Sequence, residues 1–433
     1  MSFMGDTQLS TKAQRTDVLD LLKQFSRIGA TSDGGVSRLA ASKEDGEIRD
    51  FLCAWFKQND FTVRVDRTGN IFGILQLAEN GDGSAFYCGS HLDSQPNGGR
   101  FDGALGVASA CVAALAIRTL CVAGKIDPAF DQFVVACWTG EEGSRFQPSL
   151  IGSAAFTDRI SFDDALSSCD CEGLTLGEAL TSINYLGKDT PPKPHHYFEL
   201  HIEQSSGLQD ANTPVGIVTS SWGALKCRIS IVGRSDHTGP TPMEDRRDAL
   251  LAASHLIIRA NEISKAASEP LYSSVGRIEV LPNSPNTIAE SASLWVEFRS
   301  PDPSSLRNAQ DELEQAMCDI ANRTGCELEA VRTTKRAVVE FDANAVQTVR
   351  DCWDAANISY LKMKTIAGHD AVNLQSVCPS TLMFVPSNDG ISHSPEEFTS
   401  DEDIASGFEG MLHALSALIS RPYQSQVCGG DFA

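Results

Sequence analysis

Three apolar runs in the first half of the chain each finish at a cluster of ligand-type side chains. Residues 84–90 lead into His91-Leu92-Asp93, residues 132–138 into Thr139-Gly140-Glu141-Glu142-Gly143, and residues 197–202 into His201-Ile202-Glu203-Gln204. Strands this uniformly apolar have to be covered on both faces, as in a sheet between helix layers. Helical spacing of apolar residues recurs at 16–25, 48–57, 343–356 and 401–419, and a Gly-rich turn, Asn97-Gly-Gly-Arg-Phe-Asp102-Gly103, opens an apolar helix from Ala104. Shorter strands are expected at 61–65, 70–75 and 381–385. The fold class that follows is α/β, a mixed sheet with helices on both faces.

A block of different character interrupts this pattern. Residues 225–232 alternate like a half-exposed strand, 243–263 are helical, 273–281 and 289–298 are strands, 303–322 a helix and 327–332 a strand. That β-α-β-β-α-β order is the split unit of a ferredoxin-like α+β layer. The expected organisation is a discontinuous catalytic domain, 1–218 and 336–433, with an inserted domain at 219–335. A length of 433 residues suits two or three domains.

Composition excludes several partners. With 35 Lys and Arg against 57 Asp and Glu the formal charge is −22, which repels phosphate backbones and argues against a nucleic-acid partner. The thirteen cysteines follow no framework spacing, and most of them, such as Cys88, Cys111 and Cys137, sit in apolar runs. Thiols used in this way point to a reducing compartment. Residues 1–10 are polar and show no secretory leader, and the longest apolar run, 104–117, stops at Arg118, too short to span a bilayer. A cytoplasmic protein without a membrane partner is expected.

The chemistry gathers where the predicted strands end, the edge at which open α/β sheets bind ligands. His91 and His201 supply imidazoles, Glu142 a carboxylate, His393 another imidazole, and Asp102 can bridge two ions through its two oxygens. Two divalent ions about 3.5–4 Å apart can polarise a carbonyl and supply hydroxide at neutral pH. Adjacent residues on an extended chain point opposite ways, so one of the Glu141-Glu142 pair binds metal and the other is free to take a proton. Asp93, two residues after His91, suits an orienting role, accepting the other imidazole N–H. A His and carboxylate set suits zinc, and also manganese, cobalt or nickel. His195, His196, His255 and His413 carry no such pattern and are read as structural.

Taken together these segments resemble the amidase, hydantoinase and carbamoylase family, a branch of the di-zinc metallopeptidase and aminoacylase clan with a zinc-exopeptidase-like fold. Its members include N-carbamoyl-L-amino-acid hydrolase, zinc-type beta-ureidopropionase and allantoate amidohydrolase. The resemblance is carried by residues 89–103, Glu141-Glu-Gly-Ser-Arg-Phe146 with Gly152-Ser153, His201-Ile-Glu-Gln204, residues 236–249, Pro282-Asn-Ser-Pro-Asn286-Thr287 and Ser392-His393. It implies His91, Asp102 and His201 on one side or bridging, Glu142 and His393 on the other, and Glu141 as general base. It further implies His237 as the transition-state-stabilising residue, Asn286 and Arg299 as binders of a substrate carboxylate, and Gln204 as a contact to the substrate amide. The inserted domain would make a homodimer and carry substrate contacts. Two departures, Ser205-Ser206 where the family usually has Gly and Thr238-Gly-Pro240 where Ala-Gly-Thr is usual, remove no ligand and bear on the substrate.

The activity this implies is hydrolysis of the linear C–N bond of a ureido acid, releasing ammonia, carbon dioxide and an amino acid. Allantoate or ureidoglycolate hydrolysis, and aminoacylase or dipeptidase activity, stand as alternatives. A non-catalytic metal-binding scaffold is a further one, disfavoured because a scaffold has no use for an unligated base.

Overall fold

The computed structural model describes residues 11–78 and 83–420. The segment read for a leader, 1–10, and Cys428 lie outside the described residues. The described residues form two compact units, one within residues 11–219, 340–363 and 367–420, the other of 220–339 with 364–366.

Among the described residues the strands, in chain order, are β1 (Thr62–Val65), β2 (Ile71–Gln76), β3 (Ala85–His91), β4 (Gln132–Trp138), β5 (Pro194–Ile202) and β6 (Val215–Ser221). They continue as β7 (Gly223–Val232), β8 (Tyr272–Leu281), β9 (Ser291–Ser300), β10 (Glu327–Arg336), β11 (Val339–Glu340), β12 (Tyr360–Thr365) and β13 (Ser380–Val385).

The first unit is built on a sheet ordered β1-β2-β4-β3-β5-β13-β6-β11, with β12 paired to β6. Its middle is parallel: β4, β3, β5 and β13 run the same way, with His91 opposite Trp138 and His201 opposite Phe384. This register matters for function, because parallel strands bring all their C-terminal ends to one edge. Every residue of β3 and β13 is buried, so both faces of the sheet's middle are covered, as the apolar runs require. The helix Ala104–Val122 lies against β3, β4 and β5, and helices Lys12–Phe25 and Asp401–Ser420 pack on it. It does not stop at Arg118: it runs to Val122, long and apolar enough to cross a membrane by length and composition, yet 67% of its most apolar window is buried in the fold. Its hydrophobicity is therefore explained by core packing. Cys88, Cys111 and Cys137 are buried free thiols.

The second unit is a four-stranded antiparallel sheet ordered β10-β7-β9-β8, with helices Ala249–Ala266 and Pro303–Thr324 in the β-α-β-β-α-β sequence of a ferredoxin-like layer. Burial alternates strictly along β9, and the inward residues Leu294, Val296 and Phe298 meet Leu225, Ile229, Leu256 and Leu313 in one apolar core. Truncating the fully buried Leu294 to Ala is expected to cost about 2–5 kcal/mol. Urea unfolding of the purified variant reads this directly. The first helix starts later than periodicity suggested. Met243–Asp245 is a single 3-10 turn after Pro242, and the α-helix begins only past Asp248, whose carboxylate accepts the N–H of Leu250 and Leu251.

Candidate metal centre

Each part of the site is delivered by a different strand end. His91 is the last residue of β3, and His201 sits one residue before the end of β5. Glu141 and Glu142 follow β4, and His393 lies in the loop after β13. Asp102 comes from the Gly-rich turn between β3 and the helix Ala104–Val122. That turn approaches β3 so closely that a Cβ on Gly103, at φ +62°, would lie 2.5 Å from the His91 ring.

Asp102 is the centre of the arrangement. Its Oδ1 lies 3.0 Å from His201 Nε2 and 3.3 Å from His91 Nε2. Its Oδ2 lies 3.3 Å from His393 Nε2, which is also 3.3 Å from Glu142 Oε2. Two groups of ligand atoms result, His91–Asp102–His201 and Asp102–Glu142–His393, each with all atoms within 4.8 Å of one another. Glu141 Oε2 is 3.6 Å from His91 Nε2 and belongs to neither group.

The imidazoles are turned for ligation. His91 Nδ1 donates to the main-chain carbonyl of Asp93 and His201 Nδ1 to that of Ile202, both at 2.9 Å. With the proton on Nδ1, each ring presents the lone pair of Nε2. His91 Nε2 is buried and has no hydrogen-bond partner. Around these rings five carboxyls are buried, Asp93, Asp102, Glu141, Glu199 and Asp370. An excess of buried acid with an orphaned imidazole nitrogen fits divalent cations, since unpaired buried charge is otherwise costly.

Electrostatics separate the carboxyls. Burial pushes Glu141 well above the ordinary carboxylate range, against the pull of His91. Burial and then the neighbouring Asp102 raise Glu142 to about 7. For Asp102 burial works upward too, but His201, His393 and His91 outweigh it and hold the group well below its usual value. The hydrogen bond to Asp102 raises His393 to about 9.

Asp93 does something other than expected. Its carboxylate is 3.8 Å from His91 Nδ1, which is bonded instead to the Asp93 carbonyl. The carboxylate accepts the main-chain N–H of Glu141 at 3.2 Å and of Glu142 at 3.3 Å, so it seats the Glu pair. Gln204 Nε2 donates to Asp102 Oδ2 at 2.7 Å and to Ser392 Oγ at 3.1 Å, placing the side chain among the candidate ligands.

His237, Asn286 and Arg299 belong to the second unit. Residues 237 and 287 form a β-bridge, and Thr238 donates to the carbonyl of Asn286. The His237 and Asn286 segments are thus side by side, and both residues are exposed. Gly239 N–H donates to His237 Nδ1 at 3.0 Å, which puts the ring proton on Nε2. Arg299 stands on β9, where its Nε donates to Glu297 and its Nη1 to the carbonyl of Ile366, both at 2.9 Å.

Some site residues escaped the sequence reading. Gln95 grips Glu142 through its main-chain N–H (3.1 Å to Oε1) and its amide (2.8 Å to Oε2). His369 packs edge-on against His201, centroids 4.5 Å apart, and groups with Glu199 and His201. The Gly368-His369-Asp370 triplet was the available signal, but with no strand expected before it, nothing placed it at the sheet edge.

The sequence profile of Peptidase family M20/M25/M40 matches residues 87–417. The chain belongs to that peptidase family. Like other M20 enzymes it is a metal-dependent hydrolase, of the carbamoylase and allantoate amidohydrolase kind. It is 33% identical to the N-carbamoyl-L-amino-acid amidohydrolase of Rhizobium meliloti over 400 residues, 92% of this chain and 94% of that one. It is 29% identical to the allantoate amidohydrolase of Escherichia coli over 408 residues, 93% and 98% of the two chains. The crystal structure of an amidase of the hydantoinase/carbamoylase family from Burkholderia vietnamiensis superposes with a TM-score of 0.89. That structure is 36% identical and the match covers 97% of this chain and all of the other. The M20 fold, a large mixed sheet with helices plus a ferredoxin-like α+β domain, agrees with the one expected from the apolar runs.

Proposed function

We propose that this M20 hydrolase holds two divalent ions, zinc in the first instance, and cleaves the linear C–N bond of N-carbamoyl amino acids. The observation that carries the reading is the division of Asp102, one oxygen toward His91 and His201 and the other toward His393 and Glu142. His91 and His201 would hold one ion and Glu142 and His393 the other, with the two oxygens of Asp102 available to both. When bound, such ions supply Lewis acidity to the carbamoyl carbonyl and acidify water.

The chain's own residues do the rest. Glu141, outside both ligand groups, takes a proton from the attacking water and hands it to the leaving nitrogen. Hydrolysis of one C–N bond leaves a carbamic acid that loses carbon dioxide with the second, so ammonia, carbon dioxide and the amino acid account for every atom of the ureido acid and one water. The Nε2–H of His237 is a donor suited to the oxyanion of the tetrahedral intermediate. The Arg299 fork and the Asn286 amide suit a carboxylate, since a planar guanidinium can give it two parallel hydrogen bonds. Gln204 meets the ureido amide. In this reading the second unit serves as dimerisation and lid domain of a homodimer.

His237→Ala is expected to lower kcat about 10²–10³-fold, the usual cost of one oxyanion donor. Its metal content, measured by plasma mass spectrometry, should match the parent, and a loss of metal would contradict the assignment. A panel of N-carbamoyl amino acids, allantoate, N-acetyl amino acids and dipeptides, scored for ammonia and amino-acid release, tests the substrate class. Preferential release of ammonia from N-carbamoyl amino acids supports the reading. Faster turnover of allantoate or of an ordinary amide replaces it.

A further inference from the structure

We propose that Glu397 is a positioning residue of the metal centre, locking the turn that presents Asp102 to the loop that presents His393. The proposal rests on the two-ion reading above. Glu397 is 3% exposed and lies four positions after His393. Its Oε1 accepts the main-chain N–H of Phe101 and of Asp102, each at 3.1 Å. Its Oε2 accepts the hydroxyl of Ser392 at 2.8 Å. One buried carboxylate therefore ties together two segments that are 295 positions apart in the chain.

The turn is shaped around this group. A Cβ on Gly99 would fall 1.9 Å from Glu397 Oε1, so the chain can wrap the carboxylate only where there is no side chain. The loop on the other side needs holding. His393 adopts φ +56°, an uncommon conformation for a residue with a Cβ, and its side chain is half exposed, so packing does not fix it. A buried carboxylate close to the acids of the centre is electrostatically expensive. Its three hydrogen bonds are charge-assisted and directional, and fixing geometry is what such bonds do best. The two halves of the centre should not depend on it equally. His91 and His201 stand on strand ends with their Nδ1 atoms already anchored to carbonyls, whereas His393 reaches Asp102 and Glu142 from a loop. Loss of Glu397 should therefore weaken the Asp102–Glu142–His393 half.

The test is calorimetric titration of the chelator-stripped protein with Zn²⁺, run on the parent, Glu397→Ala, Glu397→Gln and Ser392→Ala, with the melting temperature of each metal-free protein. Glu397→Ala should bind one ion about 10–100-fold more weakly while the other changes by less than about three-fold. Glu397→Gln keeps an oxygen for the two N–H groups and should bind that ion more tightly than Glu397→Ala. Ser392→Ala, which cuts the arm to the His393 loop together with the contacts of that hydroxyl to Gln204 and Asp102, should weaken the same ion by about ten-fold. A purely structural role would lower the melting temperature and leave both affinities alone. Both affinities of Glu397→Ala within about two-fold of the parent, or an equal loss at both, overturns the proposal. If Glu397→Ala does not fold, unchanged affinities in Ser392→Ala overturn it instead. A parent that takes up only one ion refutes the two-ion reading itself, and this inference with it.

Discussion

Asp102→Asn is expected to empty both halves of the centre and to abolish turnover. The substitution preserves shape and removes charge, and no other residue stands in both ligand groups that contain Asp102. The carboxylate is surrounded by three imidazoles that hold it ionised, so its neutral isostere forfeits the attraction that organises His91, His201 and His393. Several kcal/mol of transition-state stabilisation would go with the ions, which amounts to a fall of about 10³-fold or more in kcat/KM. Metal content by plasma mass spectrometry and turnover of an N-carbamoyl amino acid, measured on one preparation, decide it. A variant that keeps its full metal complement would show that Asp102 is not shared.

Glu141→Gln should behave in the opposite way, keeping its metal and losing its rate. General acid–base groups contribute about 10²–10⁴-fold, and a fall of that size in kcat is expected here. The contrast with the adjacent residue makes the experiment informative. Glu142 Oε2 faces His393, and the Gln95 side chain holds it there, while Glu141 stands outside both groups. Glu142→Gln is expected to reduce metal content, Glu141→Gln to leave it intact. The same metal loss in both would remove the distinction between ligand and base. Asp93 anchors the pair, since its carboxylate receives the main-chain N–H of both residues.

Most of the side chains that gather around Asp102 can be read from residue type and position. An apolar run that ends in His or Glu marks a buried strand whose next residues emerge at a sheet edge. That rule singles out His91, Glu141, Glu142 and His201, whose side chains the fold brings together around Asp102 and His393. The role of Asp93 was harder to read, because proximity in sequence suggested the ring of His91 while the folded chain offered two main-chain donors from after β4. His369 and Asp370 were missed for a related reason. The strand before them, β12, alternates lysines with half-buried residues, Tyr360-Leu361-Lys362-Met363-Lys364-Thr365, and carries a weak apolar signal. Gln95 and Ser392 stand in segments that carry the resemblance yet show no role of their own, and Glu397 leaves no trace in the pattern, since polar residues in loops are common and only their partners distinguish them.

From the sequence alone came the long helices and most of the strands, the two kinds of sheet, and the types of side chain that gather at the sheet edge. These are local properties: periodicity, turn chemistry and side-chain type are written within a dozen positions. Only the tertiary structure decided which oxygen of Asp102 faces which imidazole, which nitrogen of each ring is anchored, and what holds the Glu pair and the His393 loop in place. Those facts are distances between residues up to about three hundred positions apart, and they exist only once parallel strands have brought their ends to a common edge.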